Sequence, residues 1–230
     1  SSLWNGQLLR KSTPYDTLRD FQPIIQSIRQ PGLLVVPAGL PVKSVKELVA
    51  YTKARPGQLN YATVTLGSLN HLSAELFNSL AGVEVQRVDY KGGAQMAIDL
   101  IAGRVQLMFG SMGLAAPHAK SGKARALGVT TAQTTELMPG VPTIAETLPG
   151  YESVSNAGLF APGKTPRAIV VRLNQEIGRV LFKPETKEKL VADGAEPVGG
   201  SPEQFVSIIK TEMVTIAKLV KERGIPVQDE

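Results

Sequence analysis

Apolar and polar positions along the chain fall into blocks whose period switches repeatedly between that of a strand and that of a helix. Leu33-Leu34-Val35-Val36 is an uninterrupted apolar run ended by Pro37, the pattern of a strand buried on both faces in a parallel sheet. Ile24 to Ile28 predicts a short strand before it, after a turn-rich segment from Pro14 to Phe21. From Ser44 the period becomes helical: Ser44 and Glu47 form a capping box, Val45, Leu48, Val49 and Thr52 share one face, and Pro56-Gly57 stops the helix. Leu59 to Leu72 reads as strand, small-residue loop and helix start, and that helix carries Leu72, Leu76, Phe77 and Leu80 on one stripe up to Gly82. Val83 to Val88 predicts another strand, Asp89-Tyr90-Lys91-Gly92-Gly93 a loop, and Ala94, Ala97, Ile98 and Ile101 the inner face of a helix closed by Gly103. Val105 to Phe109 is a third strand of this kind, running into Gly110-Ser111-Met112-Gly113.

Strands alternating with helices imply a mostly parallel, helix-covered sheet with its ligand crevice beyond the carboxyl ends of the strands. All three small-residue loops belong at that edge. Further strands are predicted from Ala124 to Thr130 and from Val154 to Phe160, with a short helix starting at Pro142. Leu34 to Pro41 and Gly158 to Pro166 share one form: apolar strand, Pro, three residues, Pro, amphipathic helix. Two crossings between lobes would produce that echo, and so would the preference of Pro for the first helical position. The C-terminal part is predicted helical. Thr165 is expected to cap a helix with Ile169, Leu173, Ile177, Val180 and Leu181 toward the core, followed by a helix from Glu185 to Ala192. A last helix from Ser201 to Gly224 carries Phe205, Ile208, Ile209, Met213, Ile216 and Val220.

Composition narrows the function classes. With 230 residues, 43% of them hydrophobic, the chain can bury a proper core as one large or two small domains. The net charge of +5 is spread along the sequence and aromatics are only 5%, so no basic patch interleaved with stacking residues marks a nucleic-acid partner. There is no cysteine, which excludes disulfides and cysteine catalysis. No apolar run reaches the length of a bilayer span, so the chain is not expected to be membrane-spanning itself. Ser1 to Gly6 reads neither as a signal peptide nor as an initiation site, and the expectation is a processed or truncated start.

The candidate chemistry is that of binding. The only histidines, His71 and His118, lie far apart without a ligand cluster, so no metal is expected. Ser68 follows Gly67 but precedes Leu69-Asn70, which is not a nucleophile elbow, and Gly92-Gly93 lacks nucleotide-loop spacing, so no cofactor is expected. Neutral donors remain: Thr65, Ser68, Asn70, Tyr90, Ser111, and backbone N–H groups around Gly67 and Gly92. The first N–H groups of a helix and its dipole favour an anion, and neutral donors hold a carboxylate without changing it. An ordinary turn whose serine only caps the helix accounts for Leu59 to Leu72 as well.

Motifs along nearly the whole chain resemble the tripartite tricarboxylate transporter substrate-binding family, the Bug receptors. They are Pro14-Tyr15-Asp16 with Asp20-Phe21-x-Pro23, Leu40 to Leu48, Pro56-Gly57-x-Leu59-Asn60-Tyr61-Ala62, Gly67-Ser68-x-x-His71-Leu72-x-x-Glu75-Leu76-Phe77, Tyr90-Lys91-Gly92, Gly103-x-Val105-x-Leu107-Met108-Phe109, Val141-Pro142-Thr143-Ile144-x-Glu146 and Gly194 to Gly199. The resemblance implies an α/β protein of the type II periplasmic-binding-protein fold, a two-lobed Venus flytrap enclosing a carboxylate. Residues 1–39 plus 154–230 would be lobe one and 40–153 lobe two, with Thr65, Gly67, Ser68, Asn70, His71, Tyr90, Lys91, Gly92, Ser111 and Asn156 binding ligand. It implies a non-enzymatic periplasmic receptor that hands its ligand to integral membrane transporter subunits. A sensor of the same fold feeding a two-component system is the alternative, and a hydrolase using Ser68 and His71 a further one.

Three departures from the family pattern shape the ligand expectation. Family members carry roughly seventy more residues at the amino end, including lobe one's first strand, and a lobe without them is expected to be less stable or to associate. Gly110-Ser111 stands where the family often has Asp after the Met-Phe strand end, which disfavours an amino acid. Asn156-Ala157 replaces a Trp-Phe pair, which enlarges the pocket. The expected ligand is a di- or tricarboxylic or aromatic acid without an amine.

Overall fold

A computed structural model describes residues 1–227. Ser2–Leu9 (α1) and Thr17–Asp20 (α2) lead into the long strand Phe21–Pro37 (β1). Val45–Lys53 (α3), Asn60–Thr63 (β2), Leu69–Ala81 (α4), Gln86–Asp89 (β3), Gly93–Ile101 (α5), Leu107–Ser111 (β4), Met112–Lys120 (α6) and Ala124–Val129 (β5) follow. A 3-10 turn at Ile144–Glu146 precedes Val154–Pro162 (β6), Arg167–Leu181 (α7), Pro184–Ala192 (α8), Glu196–Gly199 (β7) and Pro202–Arg223 (α9). Among the described residues no helix is long and apolar enough to cross a membrane.

The chain forms two compact units, one made of Ser1–Gln30 with the chain from Ser155 onward, the other of Pro31–Val154. The divisions expected after residues 39 and 153 thus fall after 30 and 154. The reason is strand pairing: Gly32 to Pro37 pair with β4 and β5 and so belong to the second unit. The expected pair of strands before Pro37 is also one strand of 17 residues. Pro31, which has no N–H to give a ladder, stands where β1 leaves β7 and takes up β4.

In the second unit the sheet order is β3-β2-β4-β1-β5. β2 is parallel to both β3 and β4, whereas β1 is antiparallel to β4 and β5, against the parallel reading of Leu33 to Val36. Double-sided burial survives that change. Leu33 and Val35 pack with Met96, Leu100, Met108 and Met112 on one face, and Leu34 and Val36 with Leu48, Tyr61, Phe77 and Phe109 on the other. Two expected stripes are rotated: α5 buries Met96, Ala97 and Leu100 and leaves Ile98 exposed, and α4 leaves Leu80 exposed while burying His71, Ser73 and Asn78. Burial of polar residues on α4 follows from the partners they find, as for Asn78, whose side chain exchanges two hydrogen bonds of 3.2 Å with the Val85 backbone.

In the first unit β7 and β6 pair with the leading half of β1. Trp4, Phe160 and Phe205 form an aromatic cluster with centroids 5.2 to 6.1 Å apart, so the opening residues make a packed helix that their polarity pattern does not reveal. α7 starts after Pro166 with no side-chain cap, so Thr165 is not its N-cap. Its Ile169, Leu173 and Val180 are exposed and Val170 and Leu181 buried. Asn174 explains the rotation: its Nδ2 donates to the carbonyls of Ile24 and Gly200, both at 2.8 Å, turning that face of α7 toward the strands.

A Cβ on Gly158 would lie 2.4 Å from the Phe205 ring and 2.5 Å from the Ile25 carbonyl. Gly158→Ala is expected to lower the unfolding free energy by about 1–3 kcal/mol through overpacking. Gly39→Ala, with open space around it, is expected to stay within about 0.5 kcal/mol. Urea denaturation of both variants checks the pair.

Candidate functional site

Parallel strands β3, β2 and β4 each lead into a helix, so the N-termini of α5, α4 and α6 gather at one edge of the second unit's sheet. Thr63 pairs with Asp89 and Ala62 with Met108, so β2 and β3 end level and β4 runs two residues further, with neighbouring strands about 5 Å apart. The loop after β2 is the central one. Its Ser68 is the N-cap of α4: Oγ accepts from the His71 N–H at 3.4 Å and lies 3.1 Å from Thr63 Oγ1. The Ser68 N–H donates to the Thr65 carbonyl at 3.1 Å. Gly67, at φ +76°, a value that favours glycine, donates its N–H to His71 Nδ1 at 3.1 Å.

Thr65, Gly67, Ser68, Lys91, Gly92 and Ser111 are therefore brought to one edge, with Thr65, Lys91 and Ser111 exposed. Gly92 and Ser111 are the N-cap positions of α5 and α6, and neither helix has a side-chain cap, which leaves the Ser111 hydroxyl uncommitted to its own helix. Four expected ligand residues are placed otherwise. Asn70 uses Nδ2 to bond the Phe109 carbonyl and so ties α4 to the middle of β4. His71 is 3% exposed with Nδ1 already taken by Gly67, and burial pushes its pKa below the usual 6.5, against the opposing pull of Glu75 and Asp89.

Tyr90 keeps its backbone at the edge, its N–H bonding the Thr63 carbonyl at 2.8 Å, but its hydroxyl donates to Asp99 Oδ2 at 3.0 Å. Asp99 in turn accepts from Arg104 at 2.8 Å. Burial and the Asp99 carboxylate raise the phenol's pKa, so that hydroxyl is a structural donor. Asn156 lies in the first unit, buried, where Oδ1 accepts from Gln26 at 2.8 Å and Nδ2 donates to Glu212 at 2.9 Å. Its backbone is bonded to Ser1. Polar sequence alone does not show which of these amides and hydroxyls find partners inside the protein. Thr63, the hydroxyl neighbour of Ser68, is missing from the expected set although it ends a strand five residues before the cap.

The edge carries no acid–base pair. The His71 ring holds a backbone amide and not the Ser68 hydroxyl, so nothing withdraws a proton from that serine. Among the described residues no group of three or more His, Cys, Asp or Glu could hold a metal ion. Gly110, where the ligand expectation placed weight, has a packing reason: a Cβ there would meet Ala115 Cβ at 2.9 Å. A surface cavity of about 380 Å³ lined by Ala38, Lys120, Ala124, Met138 and Val141 sits at the opposite edge, where β1 ends and β5 begins.

Residues 7–225 match the tripartite tricarboxylate transporter family receptor. The chain belongs to this family. A UPF0065 protein of Pseudomonas sp. strain P51 is 37% identical over 211 residues, 91% of this chain and 63% of that protein, so the chain spans under two thirds of that relative's length. Among solved structures, R. palustris Rpa4515 with adipate is 39% identical with a TM-score of 0.83, covering 98% of this chain and 76% of its own. MatC from Rhodopseudomonas palustris with bound malate is 26% identical with a TM-score of 0.76, covering 94% and 76%. The type II-like α/β fold inferred from the motifs is thus the fold of the family receptors.

The Asn70 tie makes a stability prediction for this receptor-family chain. Asn70→Ala takes this donor from the Phe109 carbonyl, in the buried middle of β4, and is expected to cost about 1–2 kcal/mol in chemical denaturation.

Proposed function

We propose that the chain is the binding portion of an extracytoplasmic receptor that captures a small organic acid and delivers it, unaltered, to a membrane transporter. The observation that carries this reading is the convergence of three helix N-termini on the ends of β3, β2 and β4, two of them without side-chain caps. Their N–H groups, the Ser68 and Ser111 hydroxyls and the nearby Lys91 supply donors and positive potential for a carboxylate. The absence of a nucleophile–base pair fits a carrier, as does membership of a receptor family. The bound adipate and malate of the two similar structures support a dicarboxylate as ligand. β4 ends in Gly110-Ser111 without an acidic group, and Asp89 at the end of β3 is paired with Arg87 at 3.3 Å, so the edge offers a poor anchor for a ligand amine.

A thermal-shift screen tests the reading, because a ligand that binds only the folded chain raises its midpoint. Adipate or malate is expected to raise it, and glutamate to leave it unchanged. In titration calorimetry with the acid that binds, Ser68→Ala and Ser111→Ala are each expected to weaken affinity by about 1–2 kcal/mol, and Tyr90→Phe by less than about 0.5 kcal/mol, since its hydroxyl serves Asp99. Unchanged affinity in both serine variants removes this edge from the site.

A further inference from the structure

We propose that His71 is a positioning residue that makes the carboxylate loop pH-sensitive: its neutral ring holds the Gly67 amide, and proton uptake releases the loop and its ligand. This rests on the receptor reading above and adds a regulation to the same site. The geometry allows one protonation state only. Gly67 donates its N–H to Nδ1 at 3.1 Å, so Nδ1 carries no proton and the ring is the neutral Nε2–H form. A doubly protonated ring would point Nδ1–H at that same N–H, and two donors facing at this distance must part. What parts is the centre of the site, because Gly67 precedes Ser68, whose N–H, Oγ and contact with Thr63 Oγ1 fix the start of α4.

The surroundings set the direction of the response. The charged groups that act on the ring are Glu75 on its own helix and Arg87 and Asp89 on β3. Glu75 accepts from the Tyr61 hydroxyl of β2 at 2.8 Å, and β4 carries no titratable side chain. Glu75 and Asp89 favour the imidazolium and Arg87 opposes it, but burial outweighs them and lowers the pKa from 6.5. A group whose folded-state pKa is depressed takes up a proton more readily once released. The closed loop therefore has its full stability above pH 6.5 and loses it as the pH falls below that value. The consequence is weaker ligand retention in an acidified compartment or near a proton-releasing step.

The test compares the wild-type chain with His71→Asn, whose Oδ1 occupies the place of Nδ1 as an acceptor that does not titrate, and with His71→Phe, which has no acceptor. NMR follows the His71 ring nitrogens and the exchange rate of the Gly67 amide, taken throughout relative to the intrinsic base-catalysed rate at each pH, from pH 8 to pH 5. Calorimetry follows affinity for adipate and for malate over the same range. The ligand's own carboxyls titrate equally with wild type and the Asn variant, so the ratio of the two affinities isolates the ring. Expected are Gly67 exchange that accelerates as the ring titrates, at least a fivefold fall in the wild-type to Asn affinity ratio between pH 8 and pH 5, and rapid Gly67 exchange at every pH in His71→Phe. A constant ratio, a Gly67 exchange rate that does not follow the ring, or a ring that stays neutral down to pH 5 overturns the proposal. Failure of both acids to bind at pH 8 counts against the receptor reading with these ligands, and Gly67 exchange then still decides the latch.

Discussion

Parallel strands cannot be joined by tight hairpins, and the candidate site follows from that constraint. Each of β3, β2 and β4 runs the same way, so the chain must return along a face of the sheet before the next strand can begin. α4 and α5 are those returns, on opposite faces, and α6 continues the pattern after β4 toward β5. The same geometry that lets both faces of the sheet be covered therefore puts three helix N-termini side by side. A helix start leaves N–H groups without intrahelical partners, and an anion can pair with such groups without any special residue. The serines refine this arrangement and do not create it.

What distinguishes a carrier from a catalyst here is where the polar side chains spend their hydrogen bonds. Asn70, His71 and Tyr90 look like ligand groups in the sequence, yet each is occupied by the protein: a strand carbonyl, a loop amide, an aspartate on the following helix. They shape the loops from behind. The groups left at the surface, Ser111 and the amides that start α5 and α6, are hydrogen-bond donors with no acid–base partner. Such a surface can bind a carboxylate and let it go unchanged.

Much of this was legible in the sequence, and the illegible part has a physical cause. Runs such as Leu33 to Val36, the cap at Ser44, and the left-handed glycines Gly82 and Gly224 announce elements through local rules, and the structure has them. Strand direction is not a local property: Leu33 to Val36 must be buried on both faces, but whether β4 and β5 run with or against it depends on connections far along the chain. The rotated faces of α5 and α7 have a similar origin. On α7 the deciding residue is polar, since Asn174 finds two carbonyls to bond, and apolar periodicity has no term for that preference. Likewise nothing local to Asn156 shows that its amide is bonded to Glu212, 56 residues away in sequence.

The tertiary polar contacts that escape sequence reading also give the binding edge its footing. Ser73, on α4 two residues after His71, has its hydroxyl 2.7 Å from that of Ser153, and its carbonyl accepts from the Tyr151 hydroxyl at 3.0 Å. The Ser153 N–H donates to the Thr130 carbonyl at 2.9 Å, while the Thr130 N–H and hydroxyl are bonded to Gly32 at 3.0 and 2.7 Å. Gly32 and Ser153 stand where the chain enters and leaves this unit. One fully buried threonine thus joins both passages, and a serine pair joins them to the helix whose first turn carries the loop. Hydrogen bonds at 2.7 to 3.0 Å in a buried setting tolerate little displacement without leaving a donor or acceptor unsatisfied. A shift of α4 and a shift of the passages are therefore coupled through Thr130.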